Sequence, residues 1–158
     1  MLHARELHAA LLSRDSATET LERFFGAPVS AERVRERAEA PDAARRLLFG
    51  LGVGEAVRHR RSRLCARGVL LVVADLWYVP GRLPEERVAA LVGTRLPFGR
   101  VMRGLGLKRV LLESRFGGAG ARVALWHHAV LHGADGAPVA EVVERYCGSA
   151  LGGRMETR

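Results

Sequence analysis

Two long segments that alternate like β-strands, joined by a turn of a few residues, most constrain what this chain can fold into. Residues 55–66 place Leu64, Ser62 and Arg60 on one face. Cys65-Ala-Arg-Gly68 reads as a hairpin turn, and Val69-Leu-Leu-Val-Val-Ala74 opens a more apolar strand running to about residue 79. If Leu64 points to the core, Arg60 points there too. A buried arginine stays charged and offers a planar fork matched to carboxylates. The plain account of Arg60 is a buried ion pair or an exposed basic strand face. The sharper account is an anionic ligand.

The rest of the chain fits around that hairpin. Residues 5–12 form an amphipathic helix. Ser16 followed by Glu19 is a capping-box start for a helix that runs through Leu21 and Phe24 to Gly26. Residues 28–38 read as either helix or strand, and 41–49 as a short helix. Gly50-Leu-Gly-Val-Gly54 leads into a strand rather than a helix, so it is a connector and not a phosphate-binding loop. Pro84 opens a helix through Val92, and Pro97 opens another short one through Met102. Strands are predicted at about 106–115 and 122–132, with a last one from Pro138 to Tyr146 after the turn at Asp135-Gly136. Consecutive long strands with helices before and between them predict an α+β fold with an antiparallel sheet.

Length allows one domain over residues 1–158 with a real core. The formal charge of +8 invites a nucleic-acid partner. Lys108 is the only lysine, however, and the arginines are interleaved with acids, as in Glu32-Arg-Val-Arg-Glu-Arg37. No nucleic-acid partner is therefore expected, although the summed field suits small anions. No apolar run reaches membrane-spanning length. The N-terminus carries Glu6 and no small-residue cleavage site, so neither a leader nor an anchor is expected there. Cys65 and Cys147 make no metal-ligand spacing and are expected to be small buried residues in a cytoplasmic protein. On a strand, His127 and His128 face opposite ways, so the group His127, His128 and His132 does not predict a shared metal ion.

Four places converge on one site. Arg60 presents a cation from a sheet face. The helix starts at Ala17 and Phe98 each leave backbone N–H groups unpaired at a positive dipole end. Glu144 shares a face with Ala140 and Val142, while Glu141 is the competing carboxylate on the opposite face.

The chain resembles the chorismate–pyruvate lyases and their relatives over residues 11 to 147. The resemblance rests on Leu12-Ser-Arg-Asp-Ser-Ala-Thr18, His59-Arg60-Arg61-Ser-Arg-Leu64, Trp77-Tyr-Val-Pro-Gly-Arg-Leu-Pro84 with Arg95-Leu-Pro-Phe-Gly-Arg-Val-Met102, and Gly136-Ala-Pro-Val-Ala-Glu-Val-Val-Glu144-Arg-Tyr146. It implies a single antiparallel sheet with helices on one side, a ligand enclosed under two helical flaps, and a strand over 28–38. The glutamate two before an aromatic selects Glu144 over Glu141. Residues 148–158, beyond the resemblance, are expected to be a disordered tail.

The implied activity is cleavage of chorismate to 4-hydroxybenzoate and pyruvate with no metal and no cofactor. Arg60, Ala17 and Phe98 would hold carboxylates, and Glu144, with Arg60 the other catalytic residue, would move the proton or hold the ring oxygen. Two departures stand out. Ala17 takes the place of a larger flap residue, and His127-His128 that of an arginine pair. Relatives of the fold also serve as effector domains of regulators, so a non-catalytic binding module for a small aromatic acid is the alternative. Such regulators carry a DNA-binding domain, for which the stretch before residue 11 has no room. A same-fold enzyme with a different chorismate-like ligand is a further one.

Overall fold

The computed structural model describes residues 2–152. In chain order its elements are helices α1 (Leu2–Leu12) and α2 (Ala17–Phe25), strand β1 (Ser30–Glu39), helix α3 (Ala43–Phe49), strands β2 (Val57–Ala66) and β3 (Val69–Tyr78), helices α4 (Glu85–Gly93) and α5 (Phe98–Val101), strands β4 (Lys108–Phe116), β5 (Val123–His132) and β6 (Pro138–Cys147), and helix α6 (Gly148–Gly152). A single 3-10 turn, Pro80–Arg82, precedes α4. The strands form one antiparallel sheet in the order β1-β2-β3-β6-β5-β4. Two three-stranded meanders, β1–β3 and β4–β6, are thus joined where β3 pairs with β6.

The local chemistry accounts for most of these elements. The β2–β3 hairpin turns through Arg67 and Gly68, both at positive φ, which matches the right-handed twist of the flanking strands. Ser16 accepts a hydrogen bond from the Glu19 N–H, and Gly26 ends α2 in the left-handed conformation. Residues 28–38 contain the strand that the resemblance implied. β1 is an edge strand, and a register shift between Arg33 and Arg35 together with its run of charges blunts that edge.

One face of the sheet carries two separate hydrophobic cores. Leu7, Leu11 and Leu21 of α1 and α2 pack with Leu64, Val72, Leu125 and Tyr146 at one end. Leu91 of α4 with Val101 and Met102 pack on Leu76, Tyr78, Ala129 and Val142 at the other. Ala74 touches both cores. α3 lies against the opposite face, where Phe49 meets Val57 and Val79, and the Arg45 guanidinium stacks 3.5 Å over Trp77. Two expectations need correction. Residues 148–152 are not a disordered tail but the helix α6, which buries Ala150 and Leu151 in the first core; residues 153–158 lie outside the described residues. Cys65 and Cys147 are free but only half-buried, each at or next to the end of its strand, with Cys147 packed against the rim of the first core.

Candidate functional site

A cavity of about 470 Å³ lies between the two cores, within the range that holds small ligands. Its floor is sheet: Arg60, Ser62 and Leu64 of β2, Ala74 and Leu76 of β3, Val142 and Glu144 of β6, and Leu131 and Arg109 of β5 and β4. Its roof is the starts of α2 and α5, with Ser16, Ala17 and Thr18 facing Phe98, Gly99 and Met102. All four residues singled out from the sequence, Arg60, Ala17, Phe98 and Glu144, therefore line one cavity. Glu141 faces away and accepts hydrogen bonds from Arg45 at 2.8 Å and His128 at 2.8 Å on the other side of the sheet.

The two flaps are pinned to each other. Arg100 pairs with Glu22, and Arg103 with Glu19 at 3.1 Å. Gly99 passes so close to α2 that a Cβ placed there would lie 2.7 Å from the Thr18 hydroxyl and 3.2 Å from its Cβ. Glycine is needed there for closeness, not for an unusual backbone angle.

Arg60 is only 2 % exposed, and most of its donors are already used by protein. Its Nε donates to Ser62 at 3.1 Å, one terminal nitrogen to the Leu91 carbonyl at 2.7 Å and the other to the Leu96 carbonyl at 3.5 Å. Leu91 lies in the last turn of α4, where helix carbonyls lack partners, so Arg60 ties the α4–α5 segment to the floor. Glu36 of β1 stands 3.6 Å away, held also by the Tyr78 hydroxyl and Arg58. Burial pulls the Arg60 pKa down, and Glu36 offsets part of that. The sharper account of Arg60 as a free anion receptor is thus reduced to a clasp that borders the cavity.

Arg109 was not foreseen. It reaches from the edge strand β4 to Glu144, NH2 to Oε2 at 2.5 Å and NH1 to Oε1 at 3.3 Å, with side chains only 5 % and 7 % exposed. Burial works against the Arg109 charge, but Glu144 outweighs it and holds the guanidinium more firmly protonated than usual. Tyr146 donates to Glu144 at 2.9 Å, and its hydroxyl pKa is pushed well up, first by burial and then by that carboxylate. His127 accepts from Arg109 at 3.3 Å and meets His8 of α1 at 2.9 Å. Burial lowers the His127 pKa to about 4, and Arg109 and His8 add to the effect against an opposing pull from Glu144. Among the described residues, no cluster of histidines, cysteines and carboxylates is arranged to hold a metal ion. No helix among them is long and apolar enough to cross a membrane.

The fold, one open antiparallel sheet with helices over the cavity, is similar to that of effector domains of bacterial regulators. The effector domain of PhnF from Mycobacterium smegmatis superposes with a TM-score of 0.65 at 18% identity, covering 85% of this chain and 90% of that one. The chain covers 65% of whole PhnF. The C-terminal domain of the histidine utilization repressor from Pseudomonas syringae pv. tomato gives 0.55 at 16% identity, covering 82% of this chain and 97% of that one. No protein-family model matches. The uncharacterized protein y4mC of Sinorhizobium fredii is 32% identical over 174 residues, covering 92% of this chain and 73% of that protein. The chain belongs to the family of that protein.

These findings overturn the expectation of a chorismate–pyruvate lyase producing 4-hydroxybenzoate and pyruvate. Several of the similar solved structures are described as regulators of transcription or as effector and ligand-binding domains, and none of these is described as a lyase. Glu144, to which the resemblance gave the proton-handling role, forms a bidentate pair with Arg109 and accepts a hydrogen bond from Tyr146.

Proposed function

We propose that the domain is a non-catalytic module that binds a small organic acid with an apolar, aromatic body in the cavity between its two cores. The observation that carries this is the lining itself: Leu64, Leu76, Met102, Leu131 and Val142 offer a greasy wall, with the buried Arg109 set into it. Arg109 can offer a carboxylate the planar fork that it now gives Glu144. The first-turn N–H groups of α2 at Ala17 and Thr18 roof the same space and favour negative charge. Phe98 supplies a ring at the other flap. Effector and ligand-binding domains of the same fold support a sensing role, and the ligand is the partner proposed here rather than nucleic acid or membrane.

Glu144 is then a resident competitor that an incoming acid displaces from Arg109. Titration calorimetry with 4-hydroxybenzoate and its neutral amide, 4-hydroxybenzamide, tests this. The acid should bind at least about tenfold more tightly, the equivalent of one charge-assisted contact. Glu144→Gln should strengthen the acid and leave the amide unchanged, whereas Arg109→Gln should abolish the difference between the two. Equal affinities for acid and amide in the unmodified protein would refute the reading.

A further inference from the structure

We infer that Glu144, Arg109, His127 and His8 form the route by which occupancy of the cavity is passed to α1. The polarity of this chain follows from elementary chemistry. A guanidinium has only donors, so the His127 Nδ1 facing Arg109 NH2 at 3.3 Å must be the bare, accepting nitrogen. The proton of neutral His127 therefore sits on Nε2 and is donated to His8 Nδ1 at 2.9 Å, which must be bare in turn. His127 is 1% exposed, and its lowered pKa keeps it neutral near pH 7. One tautomer alone satisfies both contacts, so Arg109 is the common donor of the chain: it donates to Glu144 on the cavity floor and to His127, which donates onward to His8.

The packing around this chain leaves little slack. The His127 ring stands edge-on to Tyr146 at 5.5 Å and to His8 at 5.1 Å, and His8 stands edge-on to Phe116 at 5.2 Å. Arg5, one turn before His8, lies over the same Phe116 ring at 5.2 Å. α1 is thus held on β4 and β5 at its polar positions as well as through Leu7 and Leu11. When an acid takes the Arg109 fork, Glu144 lets go and the guanidinium re-aims. The Arg109–His127 contact, already at the long end of the range, changes first, and His8 follows.

The ligand half of this inference rests on the reading of the cavity above; the route itself does not. The route is tested without ligand by amide hydrogen exchange of residues 2–12 in the unmodified chain, Glu144→Gln, His8→Phe and the double variant. Glu144→Gln should speed α1 exchange about three- to tenfold, the loss expected for one weakened hydrogen bond, and should add nothing once His8 is phenylalanine. The same acceleration in both backgrounds, or none in either, overturns the route. Histidine nitrogen spectra of the unmodified chain give a second check that needs no variant. His127 should carry its proton on Nε2, and the Nδ1 tautomer would overturn the inference. With 4-hydroxybenzoate added, the unmodified chain should show altered α1 exchange. His8→Phe should bind the acid equally well but show no response in α1. Failure of the acid to bind at all would refute the cavity reading while leaving the ligand-free result to stand or fall alone.

Discussion

Removing Arg60 should destabilise the protein far more than removing its neighbour Arg61, because the two arginines do different work on opposite faces of β2. Arg60→Ala deletes a side chain that is 2 % exposed, frees the Leu91 and Leu96 carbonyls and leaves a hole beneath α4. Breaking one side of a buried ion pair costs about 3–5 kcal/mol. Glu36 keeps Tyr78 and Arg58 as partners, which favours the lower part of that range. For a chain of this length the melting temperature should drop by roughly 6–20 °C. Arg61 is 38% exposed, and its partner Asp75 keeps His59 at 2.8 Å and Arg145 at 2.8 Å, so Arg61→Ala should cost under about 1 kcal/mol. Arg60→Lys keeps the charge without the fork and should fall between. Urea unfolding followed by circular dichroism measures all three, and hydrogen exchange over residues 85–101 locates the loss. If Arg60→Ala costs less than about 1 kcal/mol, or no more than Arg61→Ala, the clasp between the sheet and the α4–α5 segment is not what holds this flap.

Two further outcomes follow from the same geometry. His127 is neutral in the folded protein down to about pH 4, whereas an unfolded histidine takes up its proton near pH 6.5. Between those values the unfolded state holds more protons, so this group's contribution to stability is fully present above pH 6.5 and declines as pH falls. The decline is of order 3 kcal/mol by pH 4; unfolding midpoints at pH 7 and pH 5 should differ less in His127→Gln than in the unmodified chain, and an equal difference would refute the assignment. Gly99→Ala should push the two flaps apart, costing about 1–3 kcal/mol and weakening ligand binding, with partial relief from Thr18→Ala; no relief would mean that the strain lies elsewhere.

What could be read from the sequence depended on whether a residue's role is local. The alternation that put Arg60 beside Leu64, and Glu144 beside Val142 rather than Glu141, is a property of one strand, and each side chain stands on the face so expected. The flap starts were legible for the same reason, since Ser16 and Pro97 mark helix beginnings within a few residues. Arg109 and Glu36 were not legible, because each matters only through a partner on another strand. Arg109 lies on an edge strand whose pairing with β5 slips between Leu111 and Glu113, so its alternation gives no clean face. A signal was nonetheless present. Glu144 stands on the cavity face of β6, and a buried carboxylate is rarely left unpaired. Arg60 was the cation legible on that face, but it goes to Glu36 and the Leu91 carbonyl, and the counter-ion of Glu144 comes instead from β4, across β5.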